Sequence, residues 1–302
     1  MSDQASNLRK MMEDKAETQA EEFSNVPAED AFDQSRQSRV ITITSGKGGV
    51  GKTNIAVNLS IALQMIGKRV LLIDADIGMA NVDVILGSVS KRNMLDLLED
   101  GVELQDVLVE GSHGVRYISG SSGVEKALNF TYEERRILHK KLASCGDFAD
   151  IILIDTGAGL GRHVVDFVIA ADEVLLITTP EPTALSDAFA VLKTYNLHTE
   201  KKNIRLIINR IFDIEECDEV TEKLNSTSKK LLNMSIESIG YIFEDRSVIE
   251  CVKKQVPFIV EKPDCLASKC IKQLVDSLLH GKQMTVNKGW LSFLSEIFHF
   301  GN

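Results

Sequence analysis

A glycine-rich loop between a strand and a helix constrains this 302-residue chain more than any other feature of its sequence. Residues 40–54 read VITITSGKGGVGKTN, in which a β-branched run leads into the loop and a helical pattern follows it. The loop matches G-x-x-x-x-G-K-[ST], whose backbone N–H groups cradle phosphates at a helix N-terminus. Glycine is needed there because a Cβ would keep the backbone away from the phosphates. The pattern therefore predicts a triphosphate site at the end of a strand.

Two lysines occupy this loop, although phosphate binding requires only one. Lys52 is expected to neutralise the β- and γ-phosphates, and the Thr53 hydroxyl to hold Mg²⁺. Lys47 precedes Gly48, so its own loop should point it away from its own phosphates. A cation there can stabilise phosphoryl transfer only by reaching a second nucleotide site across a two-fold dimer. The alternative is an exposed surface lysine. The expected nucleotide contacts in this region are Gly46, Lys47, Gly48, Gly49, Val50, Gly51, Lys52, Thr53 and Asn54.

Between residue 39 and about residue 280, apolar runs alternate with helical patterns. The predicted strands are VITIT, RVLLID, VRYIS, DIILID, EVLLIT, IRLIIN and IGYIF. Most of these are continuous runs rather than alternating ones, which is typical of strands buried on both faces of a parallel sheet. Residues 53–66, 131–144, 183–198 and 264–280 suit helices. Repeated strand–helix units predict an α/β fold, a doubly wound and mostly parallel sheet flanked by helices.

Composition and charge argue against several classes of protein. The net charge of −10 disfavours a protein whose main task is DNA binding. The first thirty residues are acidic and lack an apolar core, so we expect no secretory signal peptide. An apolar run of eighteen residues is absent, so no transmembrane segment is expected. None of the five cysteines forms a C-x-x-C pair, so neither a zinc site nor a redox motif is indicated.

The segment GKGGVGKT, residues 46–53, resembles the deviant Walker A motif of the MinD/ParA family of P-loop NTPases, which belong to the SIMIBI class. The resemblance implies an enzyme that hydrolyses ATP to ADP and phosphate, with ATP and Mg²⁺ as cofactors. It also implies that Lys47 crosses an ATP-dependent homodimer to the partner's phosphates. Lys47, Lys52 and Asp76 would then be the catalytic residues.

Two further segments resemble the switch regions of this family. VLLIDADIGMANVDVILG, residues 70–87, is similar to switch I, although Ala80 stands where MinD usually has arginine. By this resemblance Asp76 would orient the attacking water and Asp74 would support the Mg²⁺ shell. DIILIDTGAGLG, residues 150–161, resembles the Walker B and switch II segment. Asp155 would hold Mg²⁺ through water, and Gly157 and Gly159 would let the loop respond to the γ-phosphate. The implied metal residues are Thr53, Asp74 and Asp155.

The adenine side of the site is implied in the same way. LIINRIF, residues 206–212, matches a segment in which an asparagine reads adenine beside a basic neighbour, here Asn209 and Arg210. GYIFEDRSVIEC, residues 240–251, resembles the adenine-side loop, although Phe243 stands where MinD commonly has proline. Glu244 and Asp245 are assigned to the nucleotide on this weaker match.

The chain ends in NKGWLSFLSEIFHFGN, which predicts an amphipathic helix. Its apolar stripe, at helical spacing, is Trp290, Phe293, Leu294, Ile297 and Phe298. The helix could pack on the core, or it could be the membrane-targeting helix that MinD-type proteins carry at this place. In the second case one tail would bind lipid weakly and two tails on a dimer would bind well. Without ATP the helix could fold back on its own domain.

The N-terminal stretch DQASNLR, Asp3–Arg9, matches the D-Q-A-x-x-L-R motif of the FlhG family, also called FleN or YlxH, the MinD-like regulators of flagellar number. In that family the N-terminal helix, which carries this motif, stimulates the SRP-type GTPase FlhF. By this resemblance Asp3, Gln4, Leu8 and Arg9 would bind this partner. Other implied partners are a flagellar C-ring protein of the FliM/FliN/FliY type, a FleQ/FlrA-type transcription activator and membrane lipids. No direct nucleic-acid contact is expected. The implied location is the cytoplasm and, reversibly, the inner face of the cytoplasmic membrane.

The predicted organisation is thus an N-terminal segment over residues 1–37, an ATPase domain over 38–281 and a C-terminal helix over 282–302. Three alternatives remain. A cell-division MinD would fit the core and the tail, but not the N-terminal segment. A ParA-like DNA-partitioning ATPase would call for a basic surface, which the acidic balance disfavours. An iron–sulfur carrier is disfavoured because the cysteines are scattered.

Overall fold

The computed structural model describes residues 38–76, 81–111, 114–120, 130–199, 203–281 and 289–299. The chain divides into two units between Arg36 and Gln37, and all described residues belong to the second unit. Some predicted features lie outside the described residues: the N-terminal segment 1–37 with its motif at Asp3–Arg9, the position of Ala80, and residues 282–288 and 300–302 of the predicted C-terminal helix.

Eight strands form one sheet. They are β1 Arg39–Ser45, β2 Val70–Ala75, β3 Leu108–Glu110, β4 Arg116–Ile118, β5 Ile151–Ala158, β6 Glu173–Thr178, β7 Ile204–Ile211 and β8 Glu237–Phe243. Their order across the sheet is β3-β4-β2-β5-β1-β6-β7-β8. All neighbours are parallel except β3 and β4, which are antiparallel. The predicted fold class is therefore confirmed, and the seven predicted runs all form strands. The edge strand β3 was not predicted because three residues are too short to show a pattern.

Twelve α-helices and one 3₁₀ helix occur among the described residues. The helices are α1 Lys52–Met65, α2 Asn81–Leu86, α3 Leu104–Val107, α4 Tyr132–Ala143, α5 Cys145–Phe148, α6 Arg162–Ala170, α7 Pro182–His198, α8 Ile214–Leu232, α9 Arg246–Lys254, α10 Phe258–Glu261, α11 Leu266–His280 and α12 Gly289–His299; the 3₁₀ helix is Met94–Leu98. The four helices predicted from sequence correspond to α1, α4, α7 and α11. None of the described helices has the length and apolar character needed to cross a bilayer.

The helices cover both faces of the sheet, so every central strand is buried on both of its faces. One core cluster joins the sheet to α1, α10 and α11, and the other joins it to α4, α6, α7, α8 and α12. Along β1, Val40 belongs to one cluster and Ile41 to the other, and both are fully buried. This double burial is why the strands read as continuous apolar runs.

The C-terminal helix α12 packs on the second of these layers. Trp290, Phe293 and Leu294 are 3%, 2% and 2% exposed, and Ile297 and Phe298 are partly buried against the same cluster. The indole Nε1 of Trp290 donates to the Leu142 carbonyl at 2.6 Å. The apolar stripe predicted from sequence is thus the face of the helix that contacts the domain.

Candidate nucleotide and metal site

The glycine loop joins the carboxyl end of β1 to the N-terminus of α1. Gly51, the residue before the helix, has a φ of 97°, which only glycine adopts without strain. A Cβ at Gly51 would lie 2.5 Å from the amide nitrogen of Asn209. The exposed Gly48 and Gly49 and the N-terminus of the 14-residue helix α1 leave backbone N–H groups open to an anion.

Lys52 begins α1 and is only 7% exposed, unlike most lysines. Burial lowers the pKa of its ammonium group, while the carboxylates of Asp155 and Asp76 raise it. A buried cation beside two carboxylates, at the mouth of an anion-binding loop, has the charge arrangement that a polyphosphate with its counter-ion needs.

Two buried carboxylates meet at the carboxyl ends of β2 and β5. Asp74 and Asp155 are partners in the register of these strands, and they are 1% and 0% exposed. Burial raises the pKa of Asp74 to about 7, although backbone N–H groups of Asp76 and Val82 that donate to it act in the opposite direction. Burial and the neighbouring Asp74 raise the pKa of Asp155 to about 7, opposed by Thr53 and Lys52. Two like charges in a dry site are costly unless a cation joins them.

The donor set around Asp155 fits a small divalent cation. Neither of its carboxylate oxygens has a hydrogen-bond partner of normal geometry, although both are fully buried. The Thr53 hydroxyl lies close enough to lower the pKa of this group. Within the described ranges no three His, Cys, Asp or Glu side chains form a metal-binding cluster. A cation here would therefore depend on oxygen ligands from a bound polyphosphate and water, as Mg²⁺ commonly does.

Asp76 lies just beyond β2, where both switch segments meet. Its backbone N–H donates to Asp74 Oδ1 at 3.0 Å, and its Oδ2 accepts a 3.4 Å hydrogen bond from the Asn81 amide. A Cβ at Gly157 would lie 3.1 Å from Asp76 Oδ1. A side chain at residue 157 would crowd this carboxylate, so glycine favours the close approach of the switch II segment. Residues 77–80, between Asp76 and Asn81, lie outside the described residues.

The predicted adenine-side residues gather at the carboxyl ends of β7 and β8. Asn209 is 8% exposed, and its amide donates to the Val50 carbonyl of the loop at 2.7 Å. Arg210 has a φ of 62° and lies 3.9 Å from the Glu244 carboxylate. Asp245 caps α9 by accepting from the Ser247 N–H at 2.8 Å. These side chains therefore line the same edge of the sheet as the phosphate loop.

Lys47 does not point toward the phosphate loop's interior. Its ammonium group donates to Glu181 Oε2 at 2.6 Å and to Thr183 Oγ1 at 2.8 Å. Both acceptors lie at the N-terminus of α7, and the ion pair is partly exposed. Sequence reasoning did not find these acceptors. The Glu-Pro-Thr segment marks a helix start, since proline favours the first helical position, but a separation of 134 residues hides the contact.

Comparisons with known proteins identify the family of this chain. The family described as "AAA domain" matches residues 38–208, more than half of the chain. The "Antiactivator FleN" of Pseudomonas aeruginosa is 39% identical over 242 residues, covering 79% of this chain and 86% of that protein. The "Flagellum site-determining protein YlxH" of Helicobacter pylori is 32% identical, covering 89% and 92% of the two chains.

Among solved structures, the septum site-determining protein MinD of Pyrococcus horikoshii, complexed with Mg-ADP, superposes with a TM-score of 0.65. It is 26% identical, and the match covers 80% of this chain and 96% of that one. The fold is accordingly shared with a solved relative that is complexed with Mg-ADP. The chain belongs to the FlhG family, also called FleN or YlxH, of MinD-like P-loop ATPases.

Proposed function

We propose that the chain is an ATP-hydrolysing, ATP-dimerising regulator of flagellar number and placement. The enzymatic part rests on one observation: buried Lys52 lies beside the carboxylates of Asp155 and Asp76 at the end of a phosphate loop, and Asp155 is the register partner of buried Asp74. The flagellar part is supported by relatives named as an antiactivator and as a flagellum site-determining protein. The division-site MinD is the alternative, supported by MinD relatives such as that of Thermotoga maritima, which is 32% identical.

In the proposed reaction the chain binds ATP and positions water. The loop N–H groups and Lys52 bind the phosphates, while Asn209, Arg210, Glu244 and Asp245 face the base. Thr53, Asp74 and Asp155 would hold Mg²⁺, which supplies charge neutralisation on the phosphates when it is bound. Asp76, partly exposed and hydrogen-bonded to Asn81, is the carboxylate that would orient the attacking water.

Two states of the chain follow from this proposal. In the single-subunit state Lys47 is bonded to its own Glu181, and α12 covers its apolar stripe on the domain. In the ATP-bound state two subunits pair, Lys47 reaches the partner's phosphates, and α12 leaves the domain for the membrane surface. Burial of the stripe in either place removes a similar apolar area from water, so a small bias can select between the two.

The proposed partner of the N-terminal segment is the FlhF GTPase, which distinguishes a flagellar regulator from a division-site MinD. We expect the full chain to bind FlhF and to raise its GTP turnover, and a variant lacking residues 1–20 to do neither. A pull-down combined with a phosphate-release assay measures both. The truncated chain should keep its own ATP turnover, which controls for misfolding. Equal FlhF stimulation by both chains would contradict the assignment of Asp3, Gln4, Leu8 and Arg9, and no binding by either would favour the MinD alternative.

A further inference from the structure

A network of hydroxyl groups surrounds Asp83, a residue outside the nucleotide site. Its Oδ1 accepts from the Tyr117 hydroxyl at 2.5 Å and from the Ser90 hydroxyl at 2.6 Å. Its Oδ2 accepts from the Ser119 hydroxyl at 2.8 Å. Tyr117 and Ser119 are 0% and 2% exposed. Asp83 itself is half-buried, and hydrogen bonds that hydroxyl groups donate to a carboxylate are stronger than neutral ones, so this network holds Asp83 in place.

Asp83 belongs to the short helix α2, whose first residues contact the candidate metal-binding carboxylate Asp74 and the candidate catalytic carboxylate Asp76. The Val82 N–H donates to Asp74 Oδ2 at 3.2 Å, and the Asn81 amide lies 3.4 Å from Asp76 Oδ2. A six-residue helix has little stability of its own. The position of Asn81 and Val82 must therefore be set by what holds α2 from outside.

The strand β4 is the rigid support in this arrangement. It pairs with β2, placing Tyr117 opposite Leu72 in the interior of the sheet. Just beyond β4, a Cβ at Gly120 would lie 3.0 Å from the Asp74 carbonyl oxygen and 3.2 Å from its Oδ1. The residues 117–120 thus lie against both Asp83 and Asp74.

We propose that Asp83, held by Tyr117 and Ser119, is a positioning residue for hydrolysis: it sets α2 so that Asn81 and Val82 orient Asp76 and Asp74. This inference rests on the proposed ATP hydrolysis. A simpler role is available to Asp83, because an acidic residue in the first turn also stabilises a helix through its dipole. That role requires the charge of Asp83 but not the hydroxyl groups of Tyr117 and Ser119, so removing one hydroxyl separates the two roles.

The test uses the full chain and Tyr117→Phe, which keeps the buried ring and removes the hydroxyl. We expect kcat for ATP to fall by about 5–20-fold with the Kd for ATP changed less than about two-fold. In the nucleotide-free chain, hydrogen exchange at the amides of residues 82–86 should become faster while α1 is unchanged. Tyr195→Phe is the matched control, since Tyr195 is also buried and its hydroxyl accepts the Asn203 N–H at 3.3 Å, outside α2 and the hydroxyl network of Asp83. Asp83→Ala should behave as Tyr117→Phe or worse, and Asp83→Asn, which keeps an acceptor oxygen, should recover most of the lost kcat.

Unchanged exchange at residues 82–86 in Tyr117→Phe would overturn the inference, whatever the hydrolysis data show. If the wild type hydrolyses ATP, an unchanged kcat in Tyr117→Phe would also overturn it. The same holds if Tyr117→Phe loses both ATP affinity and thermal stability and Asp83→Asn does not recover them. A wild type that binds ATP without hydrolysing it would instead refute the proposed enzymatic activity. In that case the exchange measurement alone decides whether the network holds α2 on Asp74.

Discussion

At the scale of single residues, the two carboxyl groups at the ends of β2 and β5 make the stability of this chain depend on pH. Asp74 and Asp155 are buried side by side, and each has its pKa raised from an ordinary value near 3.8 to about 7. The native chain therefore holds protons on these carboxyls up to about pH 7, whereas the unfolded chain releases them near pH 4. When the native state binds more protons than the unfolded state, stability falls as pH rises.

We therefore predict that the nucleotide-free chain loses stability between about pH 4 and pH 7, by an amount on the order of several kcal/mol from this pair. Asp74→Asn, which cannot ionise, should flatten that loss by removing one charge and relieving the other carboxylate. Urea unfolding at pH 5.5 and pH 8 measures the difference. Asp100→Asn is the control because Asp100 is exposed. An equally steep loss in Asp74→Asn and the wild type would show that the pair is not the cause.

The residue types of the site could be predicted from sequence because the phosphate loop is a contiguous pattern. Gly46 to Thr53 fall within eight residues, and Asp74 and Asp155 each end an apolar run. The neighbours that orient them are distant in sequence. Glu181 meets Lys47 across 134 residues, and Tyr117 meets Asp83 across 34. Such pairs depend on strand order, which local patterns do not contain.

At the scale of elements, α12 shows why a periodic pattern predicts a helix but not its surroundings. A stripe of Trp290, Phe293 and Leu294 gains similarly from burial in protein or in lipid. The domain offers a matched surface: Phe293 stacks on Phe167 with ring centroids 6.1 Å apart, and the Gly289 N–H donates to the Asp172 carboxylate at 3.3 Å. Docking is thus specific, and release must break these contacts.

We predict that Phe167→Ala, which removes the partner ring of Phe293, loosens α12 and raises binding to anionic vesicles without ATP by several-fold. Deletion of residues 282–302 should abolish vesicle binding in every nucleotide state. Vesicle sedimentation measures the binding, and fluorescence of Trp290, the only tryptophan in the sequence, reports undocking. Leu197→Ala is the matched control because it truncates an apolar side chain that is 71% exposed. Vesicle binding by the chain that lacks the tail would disprove a membrane role for α12.

At the scale of the whole molecule, the proposed dimer must bring together two chains that each carry a net charge of −10. Such chains repel one another, and ATP adds more negative charge at the proposed interface. A cation that crosses from each subunit offsets part of this cost. In the single subunit that cation is Lys47, paired with Glu181 through side chains that are 35% and 58% exposed. Surface pairs of this kind are worth at most about 1 kcal/mol, so the contact holds Lys47 only weakly.

Because this ion pair is weak, we expect substitutions of Lys47 and Glu181 to change ATP-dependent dimerisation in opposite directions. Lys47→Ala should abolish ATP-dependent dimerisation, because the crossing cation is lost. Glu181→Gln keeps the volume and the hydrogen bond but removes the charge, so it should favour the dimer by up to about five-fold per subunit. Light scattering over a range of protein concentrations with and without ATP measures both.

Glu99→Gln is the control for the loss of an exposed ion pair. It breaks a comparably exposed pair, Arg92–Glu99 at 3.0 Å, and should not change dimerisation. If Glu181→Gln weakened the dimer, Glu181 would be an interface residue rather than the resting partner of Lys47. If Lys47→Ala dimerised normally, the second lysine of the loop would have no role between subunits.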